Sequence, residues 1–179
     1  MATYTLKVAG LTRELPICRV DDHLDIAAFI MFGDVELTVN CARELIKVAP
    51  AHDIIITAEA KGIPLAYEMA RQLGVNKYLI ARKGPKLYMK DPISVEVKSI
   101  TTAKLQRLYI DRDDAAAMKG RRVLIVDDVI STGESLTAVE KLVEESGGDI
   151  VGRMAVLAEG DAKDRKDIRF LAPLPLFFK

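Results

Sequence analysis

Cysteine and histidine are scarce in this 179-residue chain, and neither sign of charge prevails. Each shortage removes a class of function. Cys18 and Cys41 have neither zinc nor redox spacing, so a metal knuckle or dithiol site is not expected, and both are read as buried, reduced thiols. His23 and His52 lie far apart in sequence and read as structural or surface residues. Lys+Arg and Asp+Glu both total 26, which argues against a nonspecific nucleic-acid binder. No apolar run approaches the ~20 residues that a bilayer span requires, and the opening MATYTLKVAG is not a secretory signal. A soluble, cytoplasmic protein with no membrane and no nucleic-acid partner is therefore expected. There is no internal repeat and no low-complexity segment. Half of the residues are hydrophobic, enough for the core of a single domain.

What is present alternates between strand and helix patterns. Thr3 to Val8 and Glu14 to Val20 read as two strands of an N-terminal hairpin outside the central sheet. The pattern from Asp21 to Gly33 is irregular. Val35 to Ala49 shows helical spacing, with Leu37, Cys41, Leu45 and Val48 on one face. Asp34 is its expected N-cap and Pro50 its stop. Ile54-Ile55-Ile56 is a buried strand, and Ile63 to Leu73 the next helix, with Pro64 in its first turn and Gly74 after its end. Tyr78 to Ala81 is a third strand. From Arg82 to Arg112 there are eight basic residues against three acidic ones. Within that stretch Ile93 to Ile100 and Lys104 to Ile110 are β-prone and pair as a hairpin, a basic lid. Asp149 to Ala158 is a strand, Asp161 to Arg169 a charged connection, and Phe170 to Phe178 an edge strand or a tail packed on the core.

The most informative stretch is Arg122 to Ser135, RVLIVDDVISTGES. Val123 to Val126 reads as a strand buried on both faces of a parallel sheet. Asp127 and Asp128 follow where such a strand emerges, and ligands of open parallel sheets sit beyond that end. Ser131, Thr132, Gly133, Glu134 and Ser135 then turn into a helix from about Leu136 to Glu145. Small residues with one Gly let backbone N–H groups approach an anion, and the helix start adds a favourable dipole. The turn has no Lys and only one Gly, so it is not a nucleoside triphosphate loop. It suits one terminal phosphate. The two carboxylates suit a pair of sugar hydroxyls or a Mg²⁺ held through water. Phosphate plus cis-diol describes a ribose 5-phosphate. An Asp cap on the following helix explains neither the second Asp nor the whole turn.

Val123 to Ser135 resembles the thirteen-residue phosphoribosyl-pyrophosphate motif of the type I phosphoribosyltransferases. The loop Glu59-Ala60-Lys61-Gly62 resembles their pyrophosphate loop, which in adenine phosphoribosyltransferases reads Glu-Ala-Arg-Gly. Arg82-Lys83-Gly84 through Lys86-Leu87 and the ending Leu171 to Pro175 also look like the adenine enzymes. Glu96 to Thr101 looks more like the lid of xanthine phosphoribosyltransferases. The resemblance runs from about Val35 to the C-terminus. It departs where adenine enzymes carry a lid Glu, the nearest position here being about Thr102. It departs again where the xanthine type has an Asn and a Lys, positions near Asp25 and Glu159 here.

The resemblance implies a doubly wound parallel α/β sheet in a single domain spanning 1–179, with a small N-terminal hood (1–34) and a flexible β-hairpin lid (83–112). It implies transfer of ribose 5-phosphate from phosphoribosyl pyrophosphate to a purine, with pyrophosphate released and Mg²⁺ as cofactor. Asp127, Asp128 and Lys61 are the expected catalytic residues, the two Asp also the metal ligands. Ala60, Lys61, Gly62, Arg82, Lys83, Lys86, Asp127, Asp128 and Ser131 to Ser135 are expected to bind phosphoribosyl pyrophosphate. Glu159 and Asp25 are the expected base contacts, and their carboxylates favour adenine. The alternative for Glu159 is a cap on the next turn, or a pair with Lys163 or Arg165. A 6-oxopurine enzyme and a non-catalytic regulator remain as alternative functions. The resemblance also implies a homodimer, with Arg82 and Lys83 at the subunit boundary, and a cis peptide between Ala60 and Lys61.

Overall fold

Alternating apolar and polar residues open the chain, and in the computed structural model, which describes residues 2–98 and 105–179, they form the expected hairpin. β1 (Thr3–Val8) pairs antiparallel with β2 (Leu11–Arg19), Val8 opposite Leu11. Ala9 and Gly10 make the tight turn with φ of 51° and 77°, the handedness that matches strand twist. β3 (Leu24–Ala27) is an addition to the expected elements. Its four residues are too few to show a period, and pairing defines it, Cys18 standing opposite Ile26. Cys18 is exposed, contrary to the expectation of burial, because it lies on the outer side of β2. Cys41 is buried, and burial pushes its thiol up to about 12.

α1 (Val35–Val48) begins at Asp34, whose carboxylate accepts from the Leu37 N–H at 3.0 Å. Arg13 of β2 pairs with the same carboxylate at 2.7 Å, tying the hairpin to the helix start. β4 (Ile54–Ala58), α2 (Ile63–Gln72) and β5 (Leu79–Ala81) follow as the apolar runs imply. β6 (Ile93–Lys98) and β7 (Leu105–Ile110) pair antiparallel, Ile93 opposite Ile110. The tip of that hairpin, with Thr102, lies outside the described residues. α3 (Arg112–Met118) is a second unexpected element. With seven residues, of which Ala115 and Met118 are buried, it offers too little period to be read. β8 (Arg122–Ile130), α4 (Glu134–Glu145), β9 (Asp149–Glu159), a 3₁₀ turn at Gly160–Asp164, β10 (Arg169–Leu174) and β11 (Leu176–Phe178) complete the chain. No described helix is long and apolar enough to cross a membrane.

Five strands form a central sheet in the order β10-β9-β8-β4-β5, every neighbouring pair parallel. α1 and α2 cover one face, where Leu37, Leu45, Leu65 and Met69 meet Leu124 and Val126. α3 and α4 cover the other, where Met118, Val139 and Leu142 meet Val123 and Ile125. Burial on both faces is why β4 and β8 read as unbroken apolar runs. The sheet is doubly wound, as expected.

The hood is a second sheet of order β1-β2-β3-β11. Leu6, Leu15, Phe29 and Met31 share one buried cluster with α1 and α2, so the hood packs on the main core. The C-terminal segment serves both sheets. β10 is the expected edge strand, and its position at the edge tolerates Pro173. After Pro175 the chain crosses to the hood, where Leu176 stands opposite Ile26. The stem of the β6–β7 hairpin is anchored: Val95, Leu108 and Ile110 are buried against α4, and Lys141 donates to the Glu96 carbonyl at 3.2 Å.

Candidate active site

β8 outlasts its apolar run. It stays paired with the eleven-residue β9 as far as Ile130 opposite Ala158, so Asp127 and Asp128 lie within the end of the strand rather than beyond it. Asp128 is 5% exposed, and its Oδ2 has no hydrogen-bond partner. Its backbone N–H donates to Asp127 Oδ1 at 2.9 Å. Desolvation pushes the Asp127 carboxyl well above the usual carboxylate range, and the neighbouring Asp128 charge adds to this, while Lys61 pulls it down. Such a pair favours a ligand that brings hydroxyl donors or a cation.

Ser131 to Gly133 carry the chain from β8 into α4. Gly133 takes a left-handed φ of 82° at the N-cap, the Glu134 N–H donates to Thr132 Oγ1 at 3.5 Å, and Glu134, Ser135 and Leu136 at the start of α4 line the same space. Arg165 packs against the back of this turn, its Nη1 2.6 Å from where a Gly133 Cβ would stand. The loop after β4 is built alike. Gly62 precedes α2, also without a side-chain cap. A Cβ at Gly62 would stand 2.1 Å from Thr57 Oγ1 and 3.0 Å from Asp127 Oδ1, so only Gly lets this loop lie against the end of β8. The cis peptide of this loop joins Glu59 to Ala60, one bond earlier than the resemblance implies, and Ala60–Lys61 is trans.

Between these loops lies a cavity of about 610 Å³, within the usual range for small-molecule sites. Ala60, Lys61, Lys83, Asp127, Asp128 and Ser131 to Ser135 line it, so ten of the expected residues converge there. Gly62 lies directly behind, against Asp127. Arg82 and Lys86 stand off the wall, gathered at the rim by Glu59, whose Oε1 is 3.6 and 3.7 Å from their nitrogens. Glu59 itself lines the cavity and was not among the expected site residues. The Lys83 N–H, donating at 2.9 Å, and then Arg82 and Lys86 hold its carboxyl below the ordinary range. Gln106 and Arg107 of β7 also line the cavity. Arg107 is visible in the sequence only as one of the eight basic residues from Arg82 to Arg112; nothing local distinguishes it from the others.

Glu159 and Asp25 do not line this cavity. They meet the C-terminal segment from opposite sides. Glu159, at the end of β9, stands opposite Leu174, and Asp25, in the hood, stands opposite Phe177. Asp25 pairs with Lys179 at 2.8 Å. Glu159 makes no side-chain cap on the 3₁₀ turn, and Arg165 turns to Asp167 at 2.6 Å instead.

A parallel doubly wound sheet with an acidic pair beside a glycine turn at its strand ends defines an open α/β protein whose candidate site lies where such sheets bind ligands. Residues 40–172 match the phosphoribosyl transferase domain family, and the chain belongs to that family. An adenine phosphoribosyltransferase of Mycobacteroides abscessus is 32% identical over 176 residues, covering 94% of this chain and 91% of that one. A hypoxanthine/guanine phosphoribosyltransferase of Methanococcus voltae is 38% identical over 113 residues, 63% of this chain but 56% of that protein, so this chain spans little more than half of that relative. Among solved structures, the adenine phosphoribosyltransferase of Thermoanaerobacter pseudethanolicus superposes with a TM-score of 0.66 at 28% identity, covering 78% of this chain and 82% of that one.

Proposed function

We propose that this chain is a purine phosphoribosyltransferase: it joins a ring nitrogen of a purine to C1 of phosphoribosyl pyrophosphate, and the C1–O bond to pyrophosphate breaks. The observation that carries this reading is the convergence of Lys61, the Asp127–Asp128 pair and the Ser131–Ser135 turn on one cavity. In this reading the N–H groups of the turn and the start of α4 bind the 5-phosphate. Asp127 and Asp128 accept from the two ribose hydroxyls and favour the cationic character that the sugar ring gains as the bond to pyrophosphate lengthens. Lys61 and Lys83 take up charge on the departing pyrophosphate, with Arg82 and Lys86 drawn in from Glu59 at the rim. The basic hairpin over Gln106 and Arg107 excludes water, whose attack would hydrolyse the substrate.

The residues fit a Mg²⁺ that arrives with the substrate. Among the described residues no three His, Cys, Asp or Glu form a metal cluster. Two adjacent carboxylates, one with a buried unpaired oxygen, suit an ion that keeps waters and shares substrate oxygens. When bound, such an ion supplies charge neutralisation for the pyrophosphate.

Adenine is the proposed base. The likeness to the Mycobacteroides abscessus adenine phosphoribosyltransferase over nearly the whole of both chains supports this, and Glu159, which stands outside the cavity wall but neither caps the next turn nor pairs with Arg165, is the carboxylate proposed to accept from an exocyclic amine. A homodimer is proposed as well. Val35 and Tyr67 line an apolar groove between α1 and α2, with Ile30 and Phe32 exposed just before it, a surface suited to a second copy. Pyrophosphate release is the test, with phosphoribosyl pyrophosphate, Mg²⁺ and adenine, hypoxanthine, xanthine or guanine in turn. Release with adenine fastest is expected. Preference for hypoxanthine or xanthine would remove Glu159 from base recognition, and tight binding without release from any base would favour the regulator.

A further inference from the structure

Thr57 lies one residue before the end of β4, beneath the loop that carries Lys61. It is fully buried, at 0% exposure, and its Oγ1 has no hydrogen-bond partner. A buried hydroxyl without a partner costs the folded chain stability that an apolar residue of the same size would not. Its surroundings indicate what the hydroxyl serves. The position where a Gly62 Cβ would stand is 2.1 Å from Thr57 Oγ1, 3.0 Å from Asp127 Oδ1 and 3.4 Å from the Asp127 Cα. Thr57 Oγ1 and Asp127 Oδ1, from neighbouring parallel strands, therefore both lie close to the one point above the bare Cα of Gly62. Asp127 Oδ1 accepts from the Asp128 N–H at 2.9 Å, and a carboxylate has further lone pairs to fill.

We infer that Thr57 is a positioning residue: with phosphoribosyl pyrophosphate bound, its hydroxyl donates to the Asp127 carboxylate and fixes that carboxylate towards the ribose hydroxyls. The inference rests on the function proposed above. In the free protein the hydroxyl is idle. When hydroxyl donors engage Asp127, its carboxylate settles in one orientation and the Thr57 hydroxyl gains its acceptor. The gain thus falls on the bound state alone, and the cost falls on the free state, a common exchange between stability and function.

Thr57→Ser and Thr57→Ala test this, because both remove the γ-methyl and they differ only in the hydroxyl. The readouts are the dissociation constant for phosphoribosyl pyrophosphate with Mg²⁺, by calorimetry, and the melting temperature of the free protein. Thr57→Ser is expected to bind close to the wild type, and Thr57→Ala ~10-fold or more weakly than Thr57→Ser, as for loss of a hydrogen bond to a charged group. The free Thr57→Ala protein is expected to melt no lower than free Thr57→Ser. Equal affinities would overturn the inference. So would a lower melting temperature for Thr57→Ala, with or without an affinity loss, since the hydroxyl would then be engaged in the free fold. A folded wild type that does not bind phosphoribosyl pyrophosphate would overturn the functional reading and this inference with it.

Discussion

Asp127 and Asp128 are neighbours at the end of β8, where Asp128 is buried and Asp127 half-buried, and desolvation and the Asp128 charge both push the Asp127 carboxyl up. Such pairs are kept for what they bind, since desolvation and like charge both oppose them. Asp127→Asn and Asp128→Asn should each lower pyrophosphate release by ~10²-fold or more, the scale of losing a charge-stabilising group. Neither should lower the melting temperature, because an amide is cheaper to bury than a second carboxylate. Near-normal turnover in both variants would remove the pair from the reaction. Asp53 is the opposite case. It accepts from the Arg122 N–H at 2.9 Å and from its guanidinium at 2.8 Å, pinning the start of β4 to the start of β8. Arg122 brings the Asp53 carboxyl down to about 2. A lowered folded-state pKa gives stability that is present above the unfolded value of ~3.9 and is lost as pH falls through the folded one. The wild type should therefore melt above Asp53→Asn at pH 7, and the two should converge between about pH 4 and 2. Both side chains are partly exposed, so the gap should be small and should shrink in salt.

Elements place these residues through contacts that a strand or helix pattern does not display. Gly62 reads as a turn glycine before α2, but its necessity is tertiary, since a Cβ would meet Thr57 and Asp127 from two neighbouring strands. Gly62→Ala should cost about 1–3 kcal/mol of stability, as overpacking of a tight site does, and should lose turnover even where it folds. Calorimetric melting and pyrophosphate release measure the two effects separately. An alanine that left both unchanged would show that the loop has room. The helices α1, α2 and α4 were legible because each buries one face over ten or more residues. β3 and α3 were not, because four and seven residues hold no more than about two periods, too few to stand out from an irregular stretch. The overlong β8 has the same root: Asp127 and Asp128 break the apolar run, and only pairing with β9 carries the strand past them.

At the scale of the molecule, the last residues join the two sheets. β10 completes the central sheet and β11 the hood, where Phe177 packs edge-on against Tyr4 with ring centroids 5.9 Å apart. Lys179 pairs with Asp25, and its N–H donates to the His23 carbonyl at 3.0 Å. Truncation after Leu174 should lower stability by about 2 kcal/mol, the scale of one large apolar side chain. Hydrogen exchange should quicken in β3 before it does in β8. Unchanged protection in β3 would show that the hood holds without its fourth strand.

The sequence alone determined the chemistry that is contiguous in it. An apolar run, two carboxylates, a small hydroxyl-rich turn and the start of a helix follow one another within fourteen residues, and such short connections keep them on one cavity. The class of the sheet followed too, because strands covered on both faces must be apolar throughout. Tertiary structure decided whatever depends on residues distant in the chain. It gathered Arg82 and Lys86 around Glu59, brought Gln106 and Arg107 over the cavity, turned Arg165 to Asp167 rather than Glu159, and set Thr57 against Asp127 across Gly62. Those partners are chosen by strand order and register, and a linear pattern carries period and polarity but not which strand lies beside which.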